Sequence, residues 1–170
     1  MSLLFNFLHG NKIKVLMVCT ANVCRSPMAH AVLREMVASR GLADKIYVDS
    51  AGTHVPIRGL KPDKRTLAVL TGHGIKINNL KTRQLKKGDF TTYDYILVMD
   101  ESNRAATLKI MDNRSAVKKV EFLLNYAGNS VELNVQDPYY SHPAEFEDMY
   151  AVMDKACSSL LVTISQTDLA

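Results

Sequence analysis

The chain has 170 residues, 47% of them hydrophobic, which is enough for one domain with a single well-buried core. Its net charge of +4, from 21 basic and 17 acidic residues, is too small to indicate a nucleic-acid-binding protein, and no run of Lys and Arg supports one. The odd count of three cysteines argues against a secreted disulfide framework and for a reducing, cytoplasmic location, and no apolar run approaches the ~20 residues of a membrane span.

Residues 1–11 precede the first predicted strand, and the stretch at 1–8 is apolar but short. They lack the basic start and the small-residue cleavage site of a secretory signal peptide. We interpret them as an N-terminal extension that packs on the body of the protein or frays, with a weak interfacial anchor as the alternative. Residues 12–165 are expected to form a single domain, because they contain no repeat, linker or low-complexity stretch.

Apolar runs predict four strands, and longer runs with helical spacing predict the helices between them. In chain order we expect a strand at 12–18, a helix at 28–40, a strand at 46–51, a helix at 64–73, a strand at 91–99, a helix at 102–111, a strand at 118–123 and a helix at 145–164. This alternation predicts a three-layer α/β fold, in which a central four-stranded parallel sheet is flanked by helices.

Side chains with useful chemistry follow three of the predicted strands. Cys19 ends the first strand, Ser50 the second and Asp100 the third. In open α/β sheets, ligands bind outside the carboxyl ends of the strands. The pattern therefore predicts a functional site on this rim of the sheet.

The stretch at 18–27, Val-Cys-Thr-Ala-Asn-Val-Cys-Arg-Ser-Pro, joins the first strand to the first helix. Backbone N–H groups and the helix dipole make such a loop an anion site. A thiol in that field ionises readily, so Cys19 is a candidate nucleophile, and the planar fork of Arg25 matches two phosphate oxygens. Ser26 is the expected N-cap, with Pro27 at the first helical position. The alternative is a plain βα turn that carries buried cysteines.

The segment from Val18 to Ala29 resembles the phosphate-binding loop of the low-molecular-weight protein tyrosine phosphatases. Five further stretches resemble the same family in the same order: Asp-Ser-Ala-Gly-Thr at 49–53, His-Gly-Ile at 73–75, Thr-Arg-Gln at 82–84, Met-Asp-Glu-Ser-Asn at 99–103 and Asp-Pro-Tyr-Tyr at 137–140. Together these motifs cover nearly the whole chain.

The resemblance implies a site in which Cys19 is the nucleophile and Arg25 binds the phosphoryl group. The loop residues expected to hold that group with Arg25 are Thr20, Ala21, Asn22, Val23, Cys24 and Ser26. The resemblance makes Asp137 the general acid and then the general base, although an Asp-Pro pair alone indicates only an ordinary turn. Tyr139 and Tyr140 are implied to line the mouth of the pocket. The implied supporting residues are Ser50 and His73, in a network with Asn22 and Ser26, and Asp100, beside the loop or the arginine.

Three features bear on chemistry and specificity. Cys24 is either a small buried residue or, as the resemblance implies, a partner that forms a protective disulfide with Cys19. Ala21 stands where the family most often has Gly, which would strain the loop if that position needs a positive φ. His30 stands where the family usually has Glu, and the loop at 54–58 lacks an aromatic residue that the family often has there. Cys157 is expected in the core.

The predicted function is a cysteine-dependent phosphatase that hydrolyses phosphotyrosine in proteins through a cysteinyl-phosphate intermediate, without a metal or cofactor. An arsenate reductase of the same fold would need redox cysteines after the loop, and none occurs between Cys24 and Cys157. A protein-arginine phosphatase carries Thr where this chain has Val23 and lacks the tyrosine pair. A phosphate-binding module without turnover would be expected to lack the thiol, the arginine or the acid.

Overall fold

The computed structural model describes residues 12–112, 114–128 and 132–169. The N-terminal extension expected at 1–11 lies outside the described residues.

The sheet consists of parallel strands in the order β2-β1-β3-β4. Their bounds are Ile13–Cys19 for β1, Ile46–Gly52 for β2, Tyr95–Val98 for β3 and Val120–Phe122 for β4. Strands rich in Val, Ile and Leu suit such a sheet because both of its faces are covered. The predicted four-stranded parallel sheet is confirmed.

Helices cover both faces of the sheet. Their bounds are Arg25–Ser39 for α1, Lys64–Gly72 for α2, Asp89–Thr92 for α3, Glu101–Ile110 for α4 and Ala144–Thr167 for α5, with 3₁₀ helices at Arg114–Lys119 and Leu123–Tyr126. Alternate side chains of β1 enter separate apolar clusters: Val15 and Met17 pack with α1 and α5, while Leu16 and Val18 pack on the opposite face. The three-layer arrangement is therefore confirmed.

The third strand is shorter than predicted, because the first residues of the expected strand form the short helix α3. The hydroxyl groups of Thr91 and Thr92 both donate to the carbonyl oxygen of Gly88, at 2.9 Å each. Their backbone N–H groups donate to the same carbonyl. These local hydrogen bonds outweigh the β-strand preference of two β-branched residues, so β3 begins only at Tyr95.

Helix α5 extends to Thr167, three residues beyond its predicted end, and buries an apolar face. Cys157 is fully buried, as predicted. The helical spacing of the apolar residues predicts a buried face that includes Val152, but Val152 is 40% exposed. The other residues of the predicted face are buried: Phe146, Met149, Met153, Ala156, Leu160 and Leu161.

We expect Leu160→Ala to lower the free energy of unfolding by about 2–5 kcal/mol, because it leaves a cavity in a fully buried layer. Val162→Ala is the matched control on the same helix, since Val162 is 42% exposed, and should change stability by about 0.5 kcal/mol or less. Urea denaturation of both variants measures the difference. Equal effects would contradict the assigned orientation of α5.

Candidate active site

The loop at 20–24 connects β1 to α1 at the carboxyl edge of the sheet. Cys19 is the last residue of β1 and Arg25 the first of α1, and only 3% and 2% of their surfaces are exposed. None of the backbone N–H groups of residues 21–26 donates a hydrogen bond to another described residue. These groups, next to the positive end of α1, are available to an anion in front of Cys19.

Ser26 contacts the cysteine and does not cap the helix. The N-cap is Cys24, which makes no side-chain capping bond, and Pro27 is the third helical residue because α1 begins earlier than predicted. The Ser26 hydroxyl lies 3.0 Å from the Cys19 sulfur and 3.3 Å from the Ala51 carbonyl oxygen. It accepts a hydrogen bond from the Asn22 amide at 2.9 Å, and its single proton can go either to the Ala51 carbonyl oxygen or to the Cys19 sulfur.

The backbone of the loop turns at Asn22, which has a φ of 59°. Asn tolerates this left-handed conformation better than most residues. Its side chain is also fixed, because its carbonyl oxygen accepts the N–H of Arg83 at 2.9 Å. Ala21 lies outside the positive-φ region, so the substitution of the usual Gly causes no strain there.

Arg25 joins three separate parts of the chain. One terminal nitrogen donates to the Asp100 carboxylate at the end of β3 and to the Val135 carbonyl oxygen, the latter at 3.2 Å. The other donates to Asp137 at 2.6 Å. Asp100 and Asp137 therefore bind the same guanidinium, and the three side chains form one ion-pair network beside the loop.

Asp100 is locked in place by the first turn of α4. Its carboxylate accepts the N–H of Asn103 at 2.6 Å and the hydroxyl of Ser102 at 2.7 Å. Burial tends to raise the pKa of Asp100, but the hydrogen bonds from Ser102, Asn103 and Arg25 outweigh it and hold that pKa below its usual value. The carboxylate therefore stays ionised opposite Arg25.

Asp137 and the tyrosine pair lie in an irregular segment before α5. The Asp137 side chain is 48% exposed and accepts the Tyr139 N–H at 3.1 Å. Tyr139 and Tyr140 are 47% and 97% exposed, and their rings meet edge to face at 4.9 Å between centroids. Both rings are available to contact a substrate.

Residues outside the predicted set also hold the loop. The Asn103 amide donates to the Thr20 hydroxyl at 3.0 Å, and the N–H of Asp63 donates to the Val23 carbonyl oxygen at 2.8 Å. Asp63 also caps α2 through the N–H of Arg65. An Asp directly before a helical run is a recognisable N-cap signal, whereas nothing in the sequence near Asn103 indicates its contact with Thr20.

Cys24 is buried beside the loop, and both it and Cys19 are free cysteines. Burial, followed by the negative charges of Asp63, Cys19 and Asp137, raises the pKa of Cys24 to about 12. Cys24 therefore stays protonated at neutral pH and does not compete with Cys19 as a nucleophile. The protective disulfide between the two remains a prediction.

The side-chain hydrogen bonds of Ser50 and His73 go to residues outside the loop and not to Asn22 or Ser26. The ring of His73 faces α5, where one nitrogen lies 2.9 Å from Glu147 and the ring stacks on Tyr150 at 3.7 Å. His73 follows the last residue of α2, so its side chain meets the neighbouring helix. The Ser50 hydroxyl instead lies 3.2 Å from the ring of His30, the residue that departs from the family pattern.

His30 is buried, with 7% of its surface exposed. Burial and the positive charges of Arg34 and Arg83 lower the pKa of His30 to about 4, although Asp49 acts in the opposite direction. The imidazole is therefore neutral at physiological pH.

This neutral histidine makes stability pH-dependent. Unfolded His30 would bind a proton near pH 6.5, but folded His30 binds one only near pH 4, so the free energy of unfolding should fall as the pH drops through this window. The loss is on the order of 3 kcal/mol. Urea denaturation of wild type and His30→Gln across this range should give a flatter pH dependence for the variant, and parallel curves would contradict the assignment.

Ser26→Ala should slow alkylation of Cys19 by iodoacetate about tenfold, because a hydrogen bond to the reacting sulfur is lost. Cys24 and Cys157 should not react, because burial raises the pKa of both thiols and keeps them protonated. Ser39→Ala is the control, since the Ser39 hydroxyl donates only to the Met36 carbonyl oxygen on the surface. Unchanged alkylation of the Ser26 variant would show that this hydroxyl does not stabilise the thiolate.

Within the described ranges, no helix is long and apolar enough to cross a membrane. In the same part of the chain, no group of three or more His, Cys, Asp and Glu side chains is arranged to hold a metal ion.

The family model described as low molecular weight phosphotyrosine protein phosphatase matches residues 14–169. Low molecular weight phosphotyrosine protein phosphatase 2 of Drosophila melanogaster is 42% identical over 154 residues, 90% of this chain and 93% of that protein. The crystal structure of YfkJ from Bacillus subtilis has a TM-score of 0.86 and 34% identity, covering 92% of this chain and 97% of that one. The structure of DARP, a Drosophila arginine phosphatase, has a TM-score of 0.83 and 35% identity, covering 92% and 100%. The chain belongs to the low molecular weight phosphotyrosine protein phosphatase family.

Proposed function

We propose that this protein hydrolyses phosphotyrosine in proteins through a cysteinyl-phosphate intermediate. The observation that carries the proposal is that Cys19, Arg25 and Asp137, from three parts of the chain, meet at the loop between β1 and α1. The backbone N–H groups of residues 21–26, which donate to no other described residue, complete a binding site for a phosphoryl group.

In the first step the Cys19 thiolate attacks phosphorus, an S–P bond forms and the bond to the tyrosine oxygen breaks. Asp137 gives its proton to that leaving oxygen, which would otherwise depart as an unstable phenolate. Arg25 and the loop N–H groups bind the three phosphoryl oxygens, on which the transition-state charge is spread. The Ser26 hydroxyl holds the sulfur in line.

In the second step the Asp137 carboxylate takes a proton from water as that water attacks phosphorus. The S–P bond breaks, inorganic phosphate forms and Cys19 returns as a thiolate, which Ser26 stabilises. Neither step draws on a metal or a cofactor.

Substrate binding has to rearrange the contacts of Arg25. In the structure its guanidinium pairs with both Asp100 and Asp137. A phosphoryl dianion competes for the same donors, and Asp137 is the carboxylate that can yield, because its side chain is 48% exposed while that of Asp100 is 20% exposed and fixed by α4. Binding thus releases Asp137 to act as the acid.

Two observations bear on the choice of substrate. Tyr139 and Tyr140 are exposed beside Asp137 and can flank an aromatic phosphate ester, a contact that adds roughly 0.5–1.5 kcal/mol beyond area burial. The similarity to DARP makes phosphoarginine the second candidate. The apolar Val23 in the loop and the tyrosine pair favour phosphotyrosine.

We also propose that the protein works in the cytoplasm, where its three free cysteines stay reduced. The partner that we propose for this protein is a phosphotyrosine-containing protein, its substrate.

The test is turnover of p-nitrophenyl phosphate, a phosphotyrosine peptide and a phosphoarginine peptide in reducing, metal-free buffer. We expect wild type to hydrolyse the first two, Cys19→Ser to be inactive and Asp137→Ala to be about 10²–10⁴-fold slower on the phosphotyrosine peptide. Asp44→Ala, which removes an exposed carboxylate near the start of β2, should match wild type. Preference for the phosphoarginine peptide would favour the second candidate, and no turnover at all would contradict the phosphatase assignment.

A further inference from the structure

We propose that Arg65, on α2, is a positioning residue that holds Asp137 in place during turnover. This inference rests on the proposed function and adds to it a residue that touches neither the substrate nor the reacting atoms.

Arg65 reaches from the first turn of α2 to the segment that contains Asp137. One terminal nitrogen donates to the Tyr139 carbonyl oxygen at 2.9 Å, and the other donates to the Ser141 carbonyl oxygen at 3.1 Å. The guanidinium lies over the ring of the buried Phe146, 4.4 Å from its centroid. These contacts hold the backbone at two points just after the general acid.

Asp63 fixes the position of Arg65 and links it to the phosphate-binding loop. Its carboxylate accepts the Arg65 backbone N–H at 2.8 Å and the guanidinium at 2.9 Å and 3.0 Å. The N–H of Asp63 donates to the Val23 carbonyl oxygen at 2.8 Å. A continuous chain of hydrogen bonds therefore runs from the loop that binds phosphate to the segment that supplies the acid.

Arg65 matters during turnover because substrate binding changes the contacts of Arg25. Among the described residues, two side chains from outside the segment at 136–141 donate hydrogen bonds to that segment. They are Arg25, which contacts Asp137, and Arg65. When a phosphoryl group takes the donors of Arg25, Asp137 loses its ion pair. Arg65 is then the side chain that still restrains the segment while the proton is transferred.

Arginine suits this role because a planar fork can serve a carboxylate and two carbonyl oxygens at once. Methionine keeps an unbranched apolar stem over Phe146 but donates no hydrogen bond. Lysine can donate to a carbonyl oxygen but cannot reproduce the fork. The pair Arg65→Met and Arg65→Lys therefore separates loss of hydrogen bonding from loss of packing.

The experiment compares kcat/KM for phenyl phosphate, whose leaving group needs a proton, with that for p-nitrophenyl phosphate, whose leaving group needs it much less. Arg65→Met should lower kcat/KM for phenyl phosphate about 10–100-fold, the scale for a misplaced catalytic group, and should affect p-nitrophenyl phosphate far less. Arg65→Lys should lie between Arg65→Met and wild type. Inhibition by inorganic phosphate should be unchanged, since the phosphate-binding loop keeps its own contacts.

Two further measurements separate positioning from a general structural effect. In the Asp137→Ala background, Arg65→Met should cause no additional loss, because Arg65 acts through Asp137. Hydrogen exchange in a peptide covering 136–142 should be faster in Arg65→Met than in wild type. Arg34→Met is the matched control: Arg34 also donates to two backbone carbonyl oxygens, of Asn78 at 2.9 Å and Lys76 at 2.6 Å, and its loss should change neither readout.

Equal losses on the two substrates, a multiplicative loss in the Asp137→Ala background, weaker inhibition by phosphate or no effect of Arg65→Met would each overturn the inference. These outcomes are distinct from a failure of the proposed function, in which wild type itself would turn over neither substrate.

Discussion

The charge of Arg25 is the constraint on which the geometry of this site depends. The guanidinium of a side chain that is only 3% exposed must be paired, because an uncompensated charge away from water costs several kcal/mol. Its partners come from the end of β3 and from the irregular segment before α5. Satisfying one buried cation thus brings together the helix that presents the loop, the strand that carries Asp100 and the segment that carries Asp137.

The environment gives similar groups different roles at the centre of the site. Asp100 caps α4 and is held by its hydrogen bonds, whereas Asp137 is half-exposed and can exchange its partner. Cys19 lies beside a hydroxyl and a row of N–H groups, whereas Cys24 is buried among groups that oppose ionisation. The site therefore has one fixed carboxylate, one exchangeable carboxylate and one thiol that faces hydrogen-bond donors, as a two-step phosphoryl transfer requires.

The sequence by itself determined the sheet, the order of its helices and the residues of the central loop. Apolar runs of strand and helix length fix that alternation, and a parallel sheet collects its strand ends on one rim, so Cys19 and Asp100 had to lie near each other. The spacing from Cys19 to Arg25 is local, since both flank a single βα turn. Local features of this kind can be predicted from the sequence because they are formed by residues that are close together in the chain.

The tertiary structure alone decided which distant groups satisfy each polar side chain. Serine is a residue type that commonly caps helices, but the Ser26 hydroxyl contacts the Cys19 sulfur. His73 contacts α5, and His30 is the histidine that lies beside Ser50. Arg65 carries no signal in the sequence for its contacts with the carbonyl groups beyond Asp137. The contacts of Arg65 and His73 depend on how α2 and α5 pack, and residues more than seventy positions apart leave no periodic trace of their contact.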